Sequence, residues 1–207
     1  MSKIETNTID TISGSATMQV GSTNTSTINI GASGDTVNIP AGVTIANAGT
    51  ATGFGEANTP AFSVQLGFNQ SQSVSENTIT KVQLDDEYFD TDNAFDASTN
   101  YRFTVPSGKA GKYFFTWSIY LYQGTVSNMR IVESLLYLNG SRYIGAVFNG
   151  RDTYFRYATK GNSAFLNLNV GDYIEVYGNV DTVDGAGSPE FFGGDRATFL
   201  TGYKVTT

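Results

Sequence analysis

The chain has 207 residues and contains neither cysteine nor histidine, and these two absences exclude more chemistry than any motif adds. Structural zinc, iron–sulfur clusters, thiol nucleophiles and Ser-His-Asp catalysis all require residues that are missing. No disulfide can staple the fold, so its cohesion must come from packing. Charge is scarce: 12 basic and 19 acidic side chains leave a formal balance of −7. Phosphate recognition needs clustered Lys and Arg, whereas Arg130, Arg142, Arg151 and Arg156 lie scattered among acidic and aromatic neighbours. Nucleic acid is therefore not an expected partner. No apolar run approaches the ~20 residues needed to cross a bilayer, and the polar start MSKIETNT has no apolar run behind it. The expectation is a protein made in the cytoplasm without a secretory signal and without membrane insertion, leaving the cell by another route such as lysis.

Aromatic residues are absent from residues 1–53, where Thr, Ser, Asn, Gly, Ile and Val dominate, and every Phe, Tyr and Trp comes later. Within this first region short alternating segments recur: Thr17-Met18-Gln19-Val20-Gly21, Thr27-Ile28-Asn29-Ile30-Gly31, and Thr36-Val37-Asn38-Ile39 before Pro40. Each places two aliphatics on one face of a short strand and ends at Gly or Pro. Such rungs bury too little to pack alone and must stack on neighbours or on other chains. Residues 1–53 thus read as a β-repeat docking arm or stalk; a Ser/Thr/Gly linker without fixed structure is the competing reading of the same composition. Residues 54–60 read as a hinge, and residues 61–207 as a head.

In the head the strands lengthen and become aromatic. Residues 61–66 alternate cleanly, residues 78–84 suggest a second strand with Ile79, Val82 and Leu84 as its apolar positions, and residues 101–105 a third. Residues 112–122 set Tyr113, Phe115, Trp117 and Ile119 on one face against Phe114, Thr116, Ser118 and Tyr120 on the other, the pattern of a strand covered on both faces. Residues 131–138 end at Asn139-Gly140, a strong hairpin signal, with 142–148 returning. Residues 153–159, 163–168, 173–177 and 197–205 continue the rhythm. Many short strands without an amphipathic helix predict an all-β antiparallel jelly-roll sandwich.

From Phe95 to Phe115 the chain reads FDASTNYRFTVPSGKAGKYFF. Phe95, Asp96, Thr99, Asn100, Phe103, Thr104, Pro106, Gly111, Tyr113 and Phe115 match the core wording of the complement component 1q-like, tumour-necrosis-factor-like globular head. Leu168-x-Val170-Gly171-Asp172 resembles that family's Leu-x-x-Gly-Asp turn, and residues 197–205 resemble its closing strand. The chain departs from the pattern at Ser107 to Ala110, which lengthen the Pro-Gly turn, and at Leu200-Thr201, which adds a residue before the final Gly. The resemblance covers about residues 58–207. It implies a jelly roll that assembles as a tight homotrimer, binds ligands at its exposed end or flank, and is not an enzyme. Residues 1–55 resemble the opening of virion structural proteins of tailed phages, particularly those of marine bacteria, which implies a virion-surface location with the arm contacting other virion proteins.

Candidate sites follow from side-chain chemistry. Asp85, Asp86 and Asp90, with Glu87 and Asp92, form the densest acidic run, and oxygen-rich clusters suit calcium; a solvated acidic loop fits equally. Asp181 and Asp184, on what reads as a long loop with Gly185 and Gly187, form a weaker second cluster. No other cofactor is expected. A glycosidase would need only two carboxylates at a suitable separation, but no insertion that would form a deep cleft is evident, so no catalytic residue is assigned. Tyr143, Tyr154, Phe155 and Tyr157, with Phe148, could stack on sugars or form a subunit interface. The sequence thus leads to a trimeric fibre or spike head that adheres to a host surface glycan or protein, with capsid decoration as the alternative.

Overall fold

The computed structural model describes residues 20, 24, 27–44, 58–124 and 126–205. The chain divides into two units, Met1–Ala51 and Thr52–Thr207.

In the first unit every described residue is exposed and none lies in a strand. Residues 27–30 and 36–39 are irregular instead of the short strands that their alternation predicts, and the segment at 17–21 lies outside the described residues apart from Val20. Two hydrogen bonds of this unit close a local turn: the Ala32 amide donates to Asp35 Oδ2 at 2.7 Å, and the Asp35 amide donates to the Ala32 carbonyl at 3.0 Å. The reason is physical. A strand exists only through a ladder partner, and Ile28, Ile30, Val37 and Ile39 are each between 46 and 73% exposed in a single chain, offering nothing on which a ladder could close. The residues read as a hinge lie outside the described residues up to 57.

The second unit is a sandwich of two antiparallel sheets. Its strands are β1 Ala61–Gln65, β2 Ser71–Ser73, β3 Thr80–Lys81, β4 Asp86–Asp90, β5 Phe95–Asp96, β6 Arg102–Thr104, β7 Gly111–Gln123, β8 Met129–Leu138, β9 Ser141–Asn149, β10 Tyr157–Leu168, β11 Tyr173–Thr182, β12 Pro189–Phe192 and β13 Phe199–Lys204. The first sheet runs β2-β12-β7-β13-β1-β4, with β10 paired along the other edge of β7; the second runs β5-β6-β11-β8-β9, with β3 on β11. Among the described residues the only helical element is the 3-10 turn Gly194–Arg196. This is a jelly roll, the arrangement that closes short antiparallel strands into two facing layers.

The period of two in the sequence decides what is buried. Tyr113, Phe115, Trp117, Ile119 and Leu121 of β7 all point inward and are at most 1% exposed. They meet Ile174, Val176 and Val180 of β11, Val132 and Leu136 of β8, and Phe62, Val64 and Leu200 of the flanking strands. Phe62 and Phe103 stack across the core with ring centroids 4.8 Å apart. Gly178 sits among these residues because a Cβ there would lie 2.6 Å from the ring of Phe191. The motif acid Asp96 organises the following turn: its carboxylate accepts from the amides of Ser98, Thr99 and Asn100 and from Asn100 Nδ2, the local bonding that makes aspartate a turn former. Asn139 and Gly140, at φ 51° and 76°, join β8 to β9 as the hairpin turn their types favour.

Four local departures have identifiable causes. Only Thr80–Lys81 of the segment 78–84 is strand, because the Gln72 side chain stands in for a neighbouring strand. Its Nε2 donates to the Lys81 carbonyl at 2.7 Å, and its Oε1 accepts from the Gln83 amide at 2.9 Å. Of the two strands expected at 153–159 and 163–168, residues 153–156 stay outside any strand, and residues 157–168 join in the continuous β10, which passes Gly161 where a Cβ would lie 2.4 Å from the Trp117 carbonyl. Residues 86–90 of the acidic run are a strand paired with β1 instead of a loop. Asp181 belongs to β11, and the loop after it soon gives way to β12, whose Pro189 and Phe191 turn into the core.

Candidate binding surface

The outward face of the first sheet follows from the registers. At one end Phe165, Phe114, Tyr203 and Ala61 lie side by side on β10, β7, β13 and β1. Next comes a band of small polar residues, Ser163, Thr116, Thr201 and Ser63, in which the Ser63 and Thr201 hydroxyls are 3.0 Å apart. At the other end Tyr157 faces Tyr122 across β10 and β7, with Phe192 of β12 beside them. The face therefore carries two aromatic clusters. In the first, the Phe114 ring lies 4.9 Å from Phe165 and 5.7 Å from Tyr203. In the second, Phe192 lies 5.6 Å from Tyr120 and 6.0 Å from Tyr122, and the Arg156 guanidinium lies over the Tyr122 ring. Phe165 and Tyr157 remain 66% and 62% exposed, an amount of bare aromatic surface that usually marks an interface.

Around the end of β9 and the start of β10 an open depression of about 390 Å³ is lined by Phe148, Thr153, Phe155, Tyr157 and Lys160 among others. Phe148 and Phe155 meet edge to face at 5.1 Å, and paired backbone hydrogen bonds with Met129 fix the position of Phe155. Of the four aromatic candidates, the structure thus brings Phe155 and Tyr157 together with Phe148. Tyr143 and Tyr154, 51% and 42% exposed, do not line the depression.

The acidic candidates are occupied by other contacts. Asp85 Oδ1 accepts from the Gly67 amide at 2.8 Å, Asp86 Oδ2 from Gln65 Nε2 at 2.6 Å, and Asp90 Oδ2 from the Phe95 amide at 2.7 Å. Burial, then the neighbouring Asp90, pushes the Glu87 carboxyl above its ordinary range. Asp181 is bound by Arg130 at 2.7 Å. Asp184 accepts from the Ala186 amide and Asn128 Nδ2, which hold its carboxyl below the ordinary range. Among the described residues no group of three or more carboxylates converges on a point where a metal ion could sit. The calcium expectation at Asp85, Asp86 and Asp90 therefore has no geometric support: each carboxylate is turned toward its own N–H donor, and no shared oxygen cage is left.

Sequence reading identified the outward side of β7 but missed its companions Phe165, Tyr203 and Phe192. They belong to strands far away in the chain, and only the pairing of β10, β12 and β13 with β7 gathers them.

No family model matches the chain, and no curated protein matches it. Solved structures with similar architecture include the globular domain of zebrafish complement 1qA, 17% identical over 71% of this chain and 98% of that one, with a TM-score of 0.47. Another is the Eiger TNF of S. frugiperda, 12% identical over 70% and 91% of the two chains, with a TM-score of 0.49. Murine APRIL is 14% identical over 70% and 97%, with a TM-score of 0.44. These are likenesses of shape; the strand order and registers above establish the jelly roll independently.

Proposed function

We propose that this protein is a non-catalytic, homotrimeric binding head carried on a virion surface, anchored to other virion proteins through residues 1–53 and turned toward a host surface. The observation that carries the trimer is the aromatic outer face of the first sheet, left bare in a single chain. A closed ring needs two different patches on each subunit that fit one another. The Phe114–Phe165–Tyr203 cluster of the sheet face and the Phe148–Phe155–Tyr157 depression are such a pair, two distinct apolar patches on one subunit. The resemblance of residues 1–55 to phage structural proteins supports the virion location, and the exposed aliphatics at 28, 30, 37 and 39 suit an arm that gains its order by docking. Light scattering on the purified chain tests the trimer; a monomer at micromolar concentration would refute it. Electron cryomicroscopy of particles tests the location: a few copies at the tail fit a receptor-binding spike.

Capsid decoration is the second reading, since the exposed aliphatics at 28, 30, 37 and 39 would equally be covered by lying along a shell. Many copies on the shell would decide for it.

A further inference from the structure

Beside the aromatic face, at the margin formed by β1, β4 and the start of β13, lies a separate depression of about 220 Å³. Its lining is Ser63, Val64, Gln65, Tyr88, Arg196 and Phe199, and Arg196 is the sole charged member. The protein as a whole is acidic, at −7, so a cation-lined hollow runs against the general charge. Asp86, on the neighbouring strand, is bonded to Gln65 Nε2 at 2.6 Å and forms no ion pair with Arg196. Among the described residues Arg196 forms no ion pair; its guanidinium lies 5.3 Å over the ring of Tyr88, which is itself 67% exposed.

The loop that carries Arg196 is tightly fixed. A Cβ on Gly193 would lie 2.1 Å from the Gly67 carbonyl, and one on Gly194 would lie 2.2 Å from the Phe192 ring. Asp195 and Arg196 then follow at φ 53° and 55°, two successive side-chain-bearing residues in a conformation that L residues seldom adopt and that surrounding structure must enforce. The Gly193 amide donates to the Gln70 carbonyl, and the Thr198 hydroxyl donates to the Phe192 carbonyl. The result is a guanidinium mounted on a rigid turn beside an open aromatic ring and hydroxyl and amide groups. Guanidinium recognises carboxylate through its two-pronged donor geometry, aromatic faces accept the apolar face of a sugar ring, and short polar side chains bond to hydroxyls. The hollow is smaller than the ~300–1,000 Å³ of drug-sized sites, which suits a single ring.

We propose that this depression binds a carboxylate-bearing sugar of the hexuronate class, with Arg196 on the carboxylate and Tyr88 and Phe199 against the ring. It rests on the reading of the protein as a surface-binding head and supplies the ligand class. Affinity per site is weak, and three copies on one head multiply it.

The test is ligand-observed NMR and titration of the full-length protein with methyl glucuronide, methyl glucoside and acetate. Saturable glucuronide binding is expected, at least about tenfold weaker for the glucoside and lost in Arg196→Gln and Tyr88→Ala. Arg196→Lys, which keeps the charge but not the fork, gives partial loss. Both parent residues are exposed, and circular dichroism checks that the variants fold. Acetate binding as tightly as glucuronide would overturn the sugar assignment, as would glucuronide binding unchanged by Arg196→Gln or no binding at all. Light scattering on the same samples separates the two readings: a monomer that binds leaves the site standing and removes the trimer, and a trimer that does not bind removes the site alone.

Discussion

The two sheets present the same kind of inner face but opposite outer faces. On the second sheet the outward side chains neutralise one another. Lys81 reaches Glu175 at 2.5 Å, Arg130 reaches Asp181 at 2.7 Å, and Arg142 reaches Glu133 at 3.4 Å. Arg102 lies 4.3 Å over the Tyr173 ring, and Tyr137 and Tyr177 lie 4.1 Å apart. On the first sheet the corresponding positions hold Phe114, Phe165, Tyr203, Tyr120, Tyr122 and Tyr157, which pack mainly on one another and on Phe192, with Arg156 over Tyr122 as their one charged neighbour among these contacts. A face whose polar groups are already satisfied by its own chain gains little from a partner, whereas exposed aromatic area gains on every contact. The difference tells which side of the sandwich is built to be covered.

Adjacent residues of β7 give the sharpest form of that contrast. Phe115→Ala opens a cavity in the core and is expected to lower unfolding free energy by about 3–5 kcal/mol, read from urea denaturation. Phe114→Ala, one residue away but outward, should cost the isolated chain less than about 1 kcal/mol while weakening assembly. Equal losses in both variants would show that the outer face contributes to the single-chain core and would remove the comparison.

On the second sheet Lys81→Met leaves Glu175, only 3% exposed, without its cation. The expected loss is about 2–4 kcal/mol, near the lower end for a broken buried pair because Lys81 is partly solvated. The double variant Lys81→Met with Glu175→Leu should recover most of it, since the cost lies in the stranded charge. Failure to recover would mean that the pair, with Tyr177 hydrogen-bonded to Glu175 Oε2, positions the sheet in a way that apolar residues cannot replace.

Phe165→Asp addresses the first face directly. A carboxylate in place of the most exposed ring of the Phe114 cluster should convert a trimer to monomers in light scattering, with a change of less than about 1 kcal/mol in the chain's own stability. If the mass is unchanged, subunits meet elsewhere, and the bare aromatics serve another partner.

How much of this could be read from the sequence follows the range of the interactions. The inward run Tyr113 to Leu121, the Asp96 turn and the Asn139-Gly140 hairpin are fixed by neighbours a few residues away, so alternation and turn chemistry reveal them. The strand β4 was hidden because its Asp and Glu residues are poor strand formers and mask the signal of Tyr88 and Phe89 between them, and it forms because β1 supplies a ladder. The segment 78–84 misled for the opposite reason: its apolar alternation is real, and Val82 and Leu84 are buried, but a glutamine side chain takes the place of the partner strand. Of the four aromatic candidates, two reached the depression and two did not, because periodicity within β9 and the loop after it does not say which outward side chains converge. Arg196 gave no signal at all; its importance comes from a tight turn whose Gly193 and Gly194 are pressed against residues distant in the sequence.

The smallest effects concern protons and again divide by position. Tyr177, on the outer face of the second sheet, has its hydroxyl pushed up to about 12 from an ordinary 10.0 by burial and then by Glu175. Its contribution to stability is complete below pH 10 and is lost as pH rises toward 12, so Tyr177→Phe should unfold less steeply over that interval. Asp96, at the surface, moves the other way: amide donors from Thr99 and Ser98, with Asn100, hold its carboxyl well below the ordinary 3.8. A lowered folded value means that the folded state favours the charged form. The stabilisation is therefore present above about pH 3.8 and is lost as pH falls through the folded value. Asp96→Asn should then be slightly less stable than the parent at neutral pH, with the two converging as the medium becomes strongly acidic. Parallel curves down to the lowest pH would show that the turn is held by its backbone geometry, and that the carboxylate at the start of the motif is replaceable.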